Sequence, residues 1–129
     1  MLYHLMDFSM QSAFYKDGAA IALSTACMVH CVALPVLAIS SPVFAAVAEA
    51  EWVHWSMAVL AILASTSVVL SSPSSRVPEF LVPAGLGGLL ITAALFAERF
   101  GIGETIPTVA GAVLIVSAHL LRLYKIRRS

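Results

Sequence analysis

Charged side chains fall in clusters along this chain and leave long apolar intervals between them. Asp7, Lys16 and Asp17 are followed by Glu49 and Glu51, by Arg76 and Glu79, by Glu98, Arg99 and Glu104, and finally by Arg122, Lys125, Arg127 and Arg128. The intervals Ala19–Ile39, Trp52–Ser71, Phe80–Ala97 and Thr105–Leu121 hold no Asp, Glu, Lys or Arg. Each is close to the roughly 20 residues that carry a helix across a hydrocarbon core. These runs are apolar throughout, whereas a membrane barrel alternates in polarity, and free strand edges are not tolerated in lipid. The pattern predicts an all-α protein with four transmembrane helices. Ser40-Ser41-Pro42, the Ser/Pro stretch from Ser71 to Ser75, and Gly101-Ile102-Gly103 supply short links with turn chemistry. Links this short make successive helices antiparallel neighbours in a bundle.

Sidedness follows from the basic residues. The N-terminal segment, the loop at Arg76 and the C-terminal tail share one side and hold Lys16, Arg76, Arg122, Lys125, Arg127 and Arg128, against Arg99 alone on the other. Lysine and arginine favour the cytoplasmic side, so both termini are expected there. The chain then divides into a cytoplasmic or interfacial segment (1–18), a four-helix membrane domain (19–124) and a basic tail (125–129). In the first segment Leu2, Leu5, Met6, Met10 and Phe14 recur at near-helical spacing, as in a short helix lying on the membrane surface or a frayed terminus. Ala46-Val47-Ala48 has the look of a signal-peptidase site, but the apolar run before it is too long and its flank carries no net positive charge, so it is read as mature structure.

Composition narrows the class further. Of 129 residues 60% are hydrophobic and only 11% charged, against about 25% charged in a soluble domain. Folding in water is thereby excluded, and the bilayer becomes an obligatory partner. Seven basic and seven acidic residues cancel, which leaves no basic field for nucleic acid. Two cysteines cannot build a disulfide framework. Ala84, Gly88 and Thr92 form a small-xxx-small stripe in the third span, with Gly85 and Gly87 beside it. Such stripes mediate close helix packing and offer a route to a homo-oligomer.

Chemistry concentrates in the first span, at Cys27, His30 and Cys31. Their i, i+3 and i+4 relation puts all three within about 100° of one helix face. Thiolate and imidazole are soft donors, suited to Zn(II), Cu(I) and Hg(II). Pro35, four residues after Cys31, lacks the N–H that would bond the Cys31 carbonyl, so that oxygen is left free beside the thiols. Against this stands the reading of Cys as a small hydrophobe and His30 as a helix-to-helix hydrogen bonder. His54 near the outer end of the second span and His119 in the inner half of the fourth are further candidates, each expected about 10 Å from the depth of His30 at 1.5 Å per residue. Either one compact site of Cys27, His30, Cys31 and His119 results, or a ladder runs from Glu104 and His54 through the first span to His119. His54 between Trp52 and Trp55 also suits an interfacial anchor, His119 a polar helix contact, and Glu104 a carboxylate capping the fourth span. Because two histidines could instead hold a haem, a haem-binding or redox subunit is a second class, and a purely structural membrane protein a third. No nucleophile elbow, phosphate loop or metalloprotease helix is present, so no enzyme is expected.

The combination of Cys27 to Pro35, Trp52-Val53-His54-Trp55, Gly103-Glu104-Thr105, Gly111 and Ala118-His119-Leu120 resembles the MerC family of small mercury-resistance membrane proteins. The likeness covers about Ala19 to Tyr124. It implies a four-helix protein of the bacterial inner membrane that takes up mercuric ion, its first-helix cysteine pair accepting the ion from outside and passing it inward, with no permanently bound cofactor. The better-known carriers have a Cys-x-x-Cys pair and further cysteines near the cytoplasmic face. Here Cys27 and Cys31 enclose three residues, His30 among them, and no cysteine follows Cys31. A mixed Cys/His site also accommodates Zn(II) or Cu(I).

Overall fold

A computed structural model describes residues 1–129. It is all-helical: α1 (Leu2–Ala38), α2 (Pro42–Ala48), α3 (Glu51–Ser71), α4 (Pro78–Ala97) and α5 (Thr105–Arg128), with single 3₁₀ turns at Pro73–Ser75 and Glu98–Phe100. Helices α1, α3, α4 (with its following turn) and α5 are each long and apolar enough to cross a membrane. Large apolar side chains such as Val36, Leu63, Leu70 and Leu89 face outward along them. In water that surface would drive aggregation, whereas in a bilayer it is the solvated one.

Two elements differ from the sequence expectation. The first fifteen residues do not form a separate surface helix or a frayed end but continue into the first span as one 37-residue helix. At about 1.5 Å per residue α1 is roughly 55 Å long, well beyond a 30 Å hydrocarbon core. The Arg127 guanidinium over the Phe14 ring, 5.5 Å from its centroid, holds α1 to α5 beyond the last buried layer. The link after α1 is also more than a turn, because Pro42 opens α2. Ser41 caps that helix by accepting a hydrogen bond from the Val43 N–H at 3.4 Å, and Pro at the first helical position loses no bond.

Inward-facing positions follow alternating steps of three and four. They are Asp17, Ala20, Ser24, Cys27 and Cys31 on α1, His54, Ala58, Ala61, Ser65 and Val68 on α3, and Phe80, Ala84, Gly87, Ile91 and Ala94 on α4. This is the seam of a left-handed bundle. Helix α1 packs against α2, α3 and α5, and α5 against α4. Helices α3 and α4 meet only slightly and leave a lateral cleft of about 380 Å³ between them. Successive spans are therefore neighbours at two of the three links, and loosely so at the third.

The small-residue contact is real but its register is shifted. A Cβ on Gly87 would lie 2.6 Å from the Gly111 carbonyl oxygen, and one on Gly111 would lie 2.6 Å from that of Gly87, so α4 and α5 touch backbone to backbone there. Gly88 of the sequence stripe, and Gly85 beside it, have nothing within 4 Å of a built Cβ. Gly101, at φ 70°, takes the left-handed conformation that ends the turn after α4. At the far end of α3, Arg76 donates to the carbonyls of Val69 (3.4 Å) and Leu70 (3.3 Å), satisfying acceptors a helix end leaves open, and Ser75 adds a second hydrogen bond (3.0 Å) to the Val68 carbonyl, which also accepts from the Ser72 N–H.

Candidate metal centre

Cys27 and Cys31 stand one turn apart on the buried face of α1, both as free thiols. His54, in the first turns of α3, reaches across to them: its Nδ1 is 3.4 Å from Cys31 Sγ. One donor atom from each of Cys27, Cys31 and His54 lies within 4.8 Å of the others, and all three residues are buried. The expected 10 Å offset of His54 therefore does not occur, and its side chain is turned into the bundle at 4% exposure instead of anchoring at the interface. Trp52 and Trp55 flank it there, Trp52 exposed and Trp55 with its ring edge-on to Phe96 at 5.5 Å.

His30, on the same stretch of α1, is buried and packs its ring at 6.1 Å and 50° from that of His54. It stands beside the three-donor group and is not one of its members. Glu104 occupies the N-cap position of α5 but makes no capping hydrogen bond. Its carboxylate is instead directed at His54, Oε2 lying 3.8 Å from Nε2. Glu104 thus stands where a carboxylate complements the α5 dipole, but without a capping hydrogen bond.

His119 belongs to a second polar centre. Its Nδ1 is 2.5 Å from Asp17 Oδ1 and its Nε2 is 3.0 Å from Ser65 Oγ, while Phe80 packs edge-on against the ring at 4.9 Å. Arg122, one turn further along α5, donates to the other Asp17 oxygen and to Ser74 Oγ at 3.3 Å. Asp17 and His119 are fully buried, and Arg122 nearly so. Ten residues of α1 separate Asp17 from Cys27, about 15 Å along the helix, and an apolar layer of Ala58, Ile91 and Ile115 lies in the bundle interior. A compact site uniting His119 with the thiols is therefore not formed. Both imidazole nitrogens of His119 already have partners. Ser65, His119 and Asp17 have the connectivity of a hydrolase triad, but Ser65 is mid-helix, where the backbone N–H groups bond within α3 and none is left to stabilise an oxyanion.

The sequence reading passed over Asp17, Arg122 and Ser65. A signal was present: Asp17 is on the Ala20, Ser24, Cys27 stripe, and Arg122 follows His119 by three, so the charges face inward if the helices continue past the apolar runs.

The fold and this centre define a multi-pass membrane protein with a buried thiol–imidazole cluster between its first and second spans. A family model described as MerC mercury resistance protein matches residues 17–124. The chain belongs to the MerC family, and is thus a mercury-resistance membrane protein. Searches of curated proteins and of solved structures return no match.

Proposed function

We propose that the protein carries mercuric ion across the bacterial inner membrane, and that Cys27 and Cys31 are the thiolates that take it up, with His54 Nδ1 as the third donor. The observation that supports this reading most is the three-donor group, buried between two candidate membrane spans with its atoms within 4.8 Å of one another. Two collinear metal–thiolate bonds of about 2.3 Å span about 4.6 Å, and a tetrahedral pair spans less. Two-coordinate thiolate ligation of Hg(II) and a three-coordinate Cys₂His arrangement are both within reach of small side-chain rotations. The ligands must be deprotonated, so binding releases protons to water. A chain this small with no nucleotide-binding loop supports passive exchange of the ion between ligands.

The orientation in which both termini are cytoplasmic rests on the excess of Lys and Arg at that end. The thiol pair then lies nearer the outer mouth. A haem reading gains no support: His54 directs Nδ1 at Cys31 and Nε2 at Glu104, and His119 is engaged by Asp17 and Ser65. The test is Hg(II) binding to purified protein. One ion per chain is expected in the wild type and none in Cys31→Ser; stoichiometric binding that survives both Cys27→Ser and Cys31→Ser places the site elsewhere.

A further inference from the structure

Above His54, at the end of the bundle opposite Asp17, a cavity of about 80 Å³ is lined by Glu49, Glu51, Glu98 and Glu104 together with His54 and Trp55. The four carboxylates come from separate elements: the end of α2, the first turn of α3, the turn after α4 and the start of α5. None forms an ion pair with a lysine or arginine. Glu51 accepts a hydrogen bond from Trp55 Nε1 at 3.2 Å. Nε2 of His54 opens toward the cavity. It is buried and has no hydrogen-bond partner. An imidazole nitrogen at 4% exposure beneath uncompensated carboxylates is left unsatisfied in this arrangement, and a cation held between it and Glu104, or a proton donated to Glu104, satisfies it.

We propose that His54 Nε2 and Glu104, with Glu98 adding charge, form an outer site for a hydrated divalent cation, distinct from the thiol pair beneath it. Its donors are nitrogen and oxygen, so it suits a borderline ion such as Zn(II). An ion about 2.1 Å from both Nε2 and Oε2 fits the observed 3.8 Å separation at an angle of about 130°, and a closing of about 0.4 Å makes it tetrahedral, with water in the remaining positions. The site rests on the preceding reading only in sharing His54. That sharing has a consequence: a neutral imidazole offers one lone pair. An ion on Nε2 requires the proton on Nδ1, where it is donated to Cys31 Sγ; an ion drawn down to Nδ1 requires the proton on Nε2, where Glu104 accepts it. The two sites are therefore filled in turn at His54, and the ring proton moves opposite to the ion.

The probe is Zn(II) alone, titrated calorimetrically into detergent-solubilised Cys27→Ser/Cys31→Ser protein, which has no thiol. One Zn(II) per chain is expected. In the same background Glu104→Gln weakens binding by about tenfold or more, Glu104→Asp recovers part of the loss, and Glu79→Gln at the opposite end changes nothing. Absence of Zn(II) binding in the thiol-free protein, or equal affinity in Glu104→Gln with an unchanged melting curve, overturns the outer site. If wild-type protein fails to bind Hg(II) while the thiol-free protein binds Zn(II), the carrier reading falls and the outer site stands. If Hg(II) binds and Zn(II) does not, the outer site alone falls.

Discussion

Cys31 and His54 come from helices that enclose an additional helix in the chain, yet Sγ and Nδ1 stand 3.4 Å apart, while His30, next to Cys31 in sequence, is outside the donor group. Position on the bundle, not proximity along the chain, brings the three donors together. His54→Ala is accordingly expected to weaken Hg(II) binding about ten- to a hundredfold and His30→Ala to leave it within a few-fold, as competition with a soluble dithiol would measure. The reverse order would transfer the third-donor role to His30. At the other polar centre, Asp17 takes hydrogen bonds from Arg122 and lies against His119. Asp17→Asn leaves the Arg122 charge buried without a counterion, which costs about 3–5 kcal/mol, whereas replacing both by apolar residues of similar volume costs much less. Thermal unfolding in micelles of Asp17→Asn against Asp17→Leu/Arg122→Met checks that asymmetry. The sequence disclosed Cys27 and Cys31 through their one-face spacing, but His54 only as a candidate. Depth counted along two helices accumulates boundary errors as large as the distance being sought, and pairing between Asp17 and Arg122 depends on contacts 105 residues apart.

Among the elements, the charge-free runs located all four spans because a helix in hydrocarbon tolerates few unpaired charges. The same logic did not extend α1 back beyond its charge-free run. Lys16 and Asp17 interrupt the apolar run, so the span looked finished there, but Asp17 is neutralised by α5 and the helix continues to Leu2. α2 was missed although its signature, serine before proline, was in view; the same dipeptide also opens turns. The small-residue stripe had the right helix and, in Ala84, one inward position, but Gly88 is turned away, since a 3.6-residue period leaves Gly87 and Gly88 about 100° apart and only the partner decides which is inside. Gly87→Ala forces its Cβ against the Gly111 carbonyl and Ile115 Cγ1, 2.6 and 2.8 Å away, and should separate α4 from α5 at about 1–3 kcal/mol. Gly88→Ala meets nothing within 4 Å and should be neutral or slightly stabilising through helix propensity. Equal melting temperatures for the two variants would show that the backbone contact is absent in micelles.

At the scale of the molecule, the two ends are unlike in kind. Toward α2 and the α4–α5 turn the bundle opens into an acidic mouth directly over His54. Toward Ser74 it is tied shut by Asp17, which joins α1 to α5 through His119 and Arg122, while Ser65 brings in α3 and Ser74 the α3–α4 turn. Between them lies the apolar layer of Ala58, Ile91 and Ile115, with the buried Ser24 hydroxyl on α1 beside it. In this conformation the thiols are buried, with His54 alone of the donor group lining the acidic cavity. On the proposed carrier reading, release on the basic side requires that the Asp17 tie loosen, because it joins three of the four spans at that end. Weakening it shifts the population toward a state open on the basic side, by an amount set by the interactions removed. The expected outcome is directional. In oriented vesicles, a charged, membrane-impermeant thiol reagent should modify Cys27 and Cys31 of the wild type from the acidic face and barely from the basic face. His119→Ala, which removes one arm of the tie and leaves Arg122 paired, should raise the basic-face rate severalfold while Hg(II) stoichiometry stays at one. Glu104→Gln, at the other end, should leave the basic-face rate unchanged. A basic-face rate as low in His119→Ala as in the wild type would mean that the buried cluster only holds the fold together and does not gate the path.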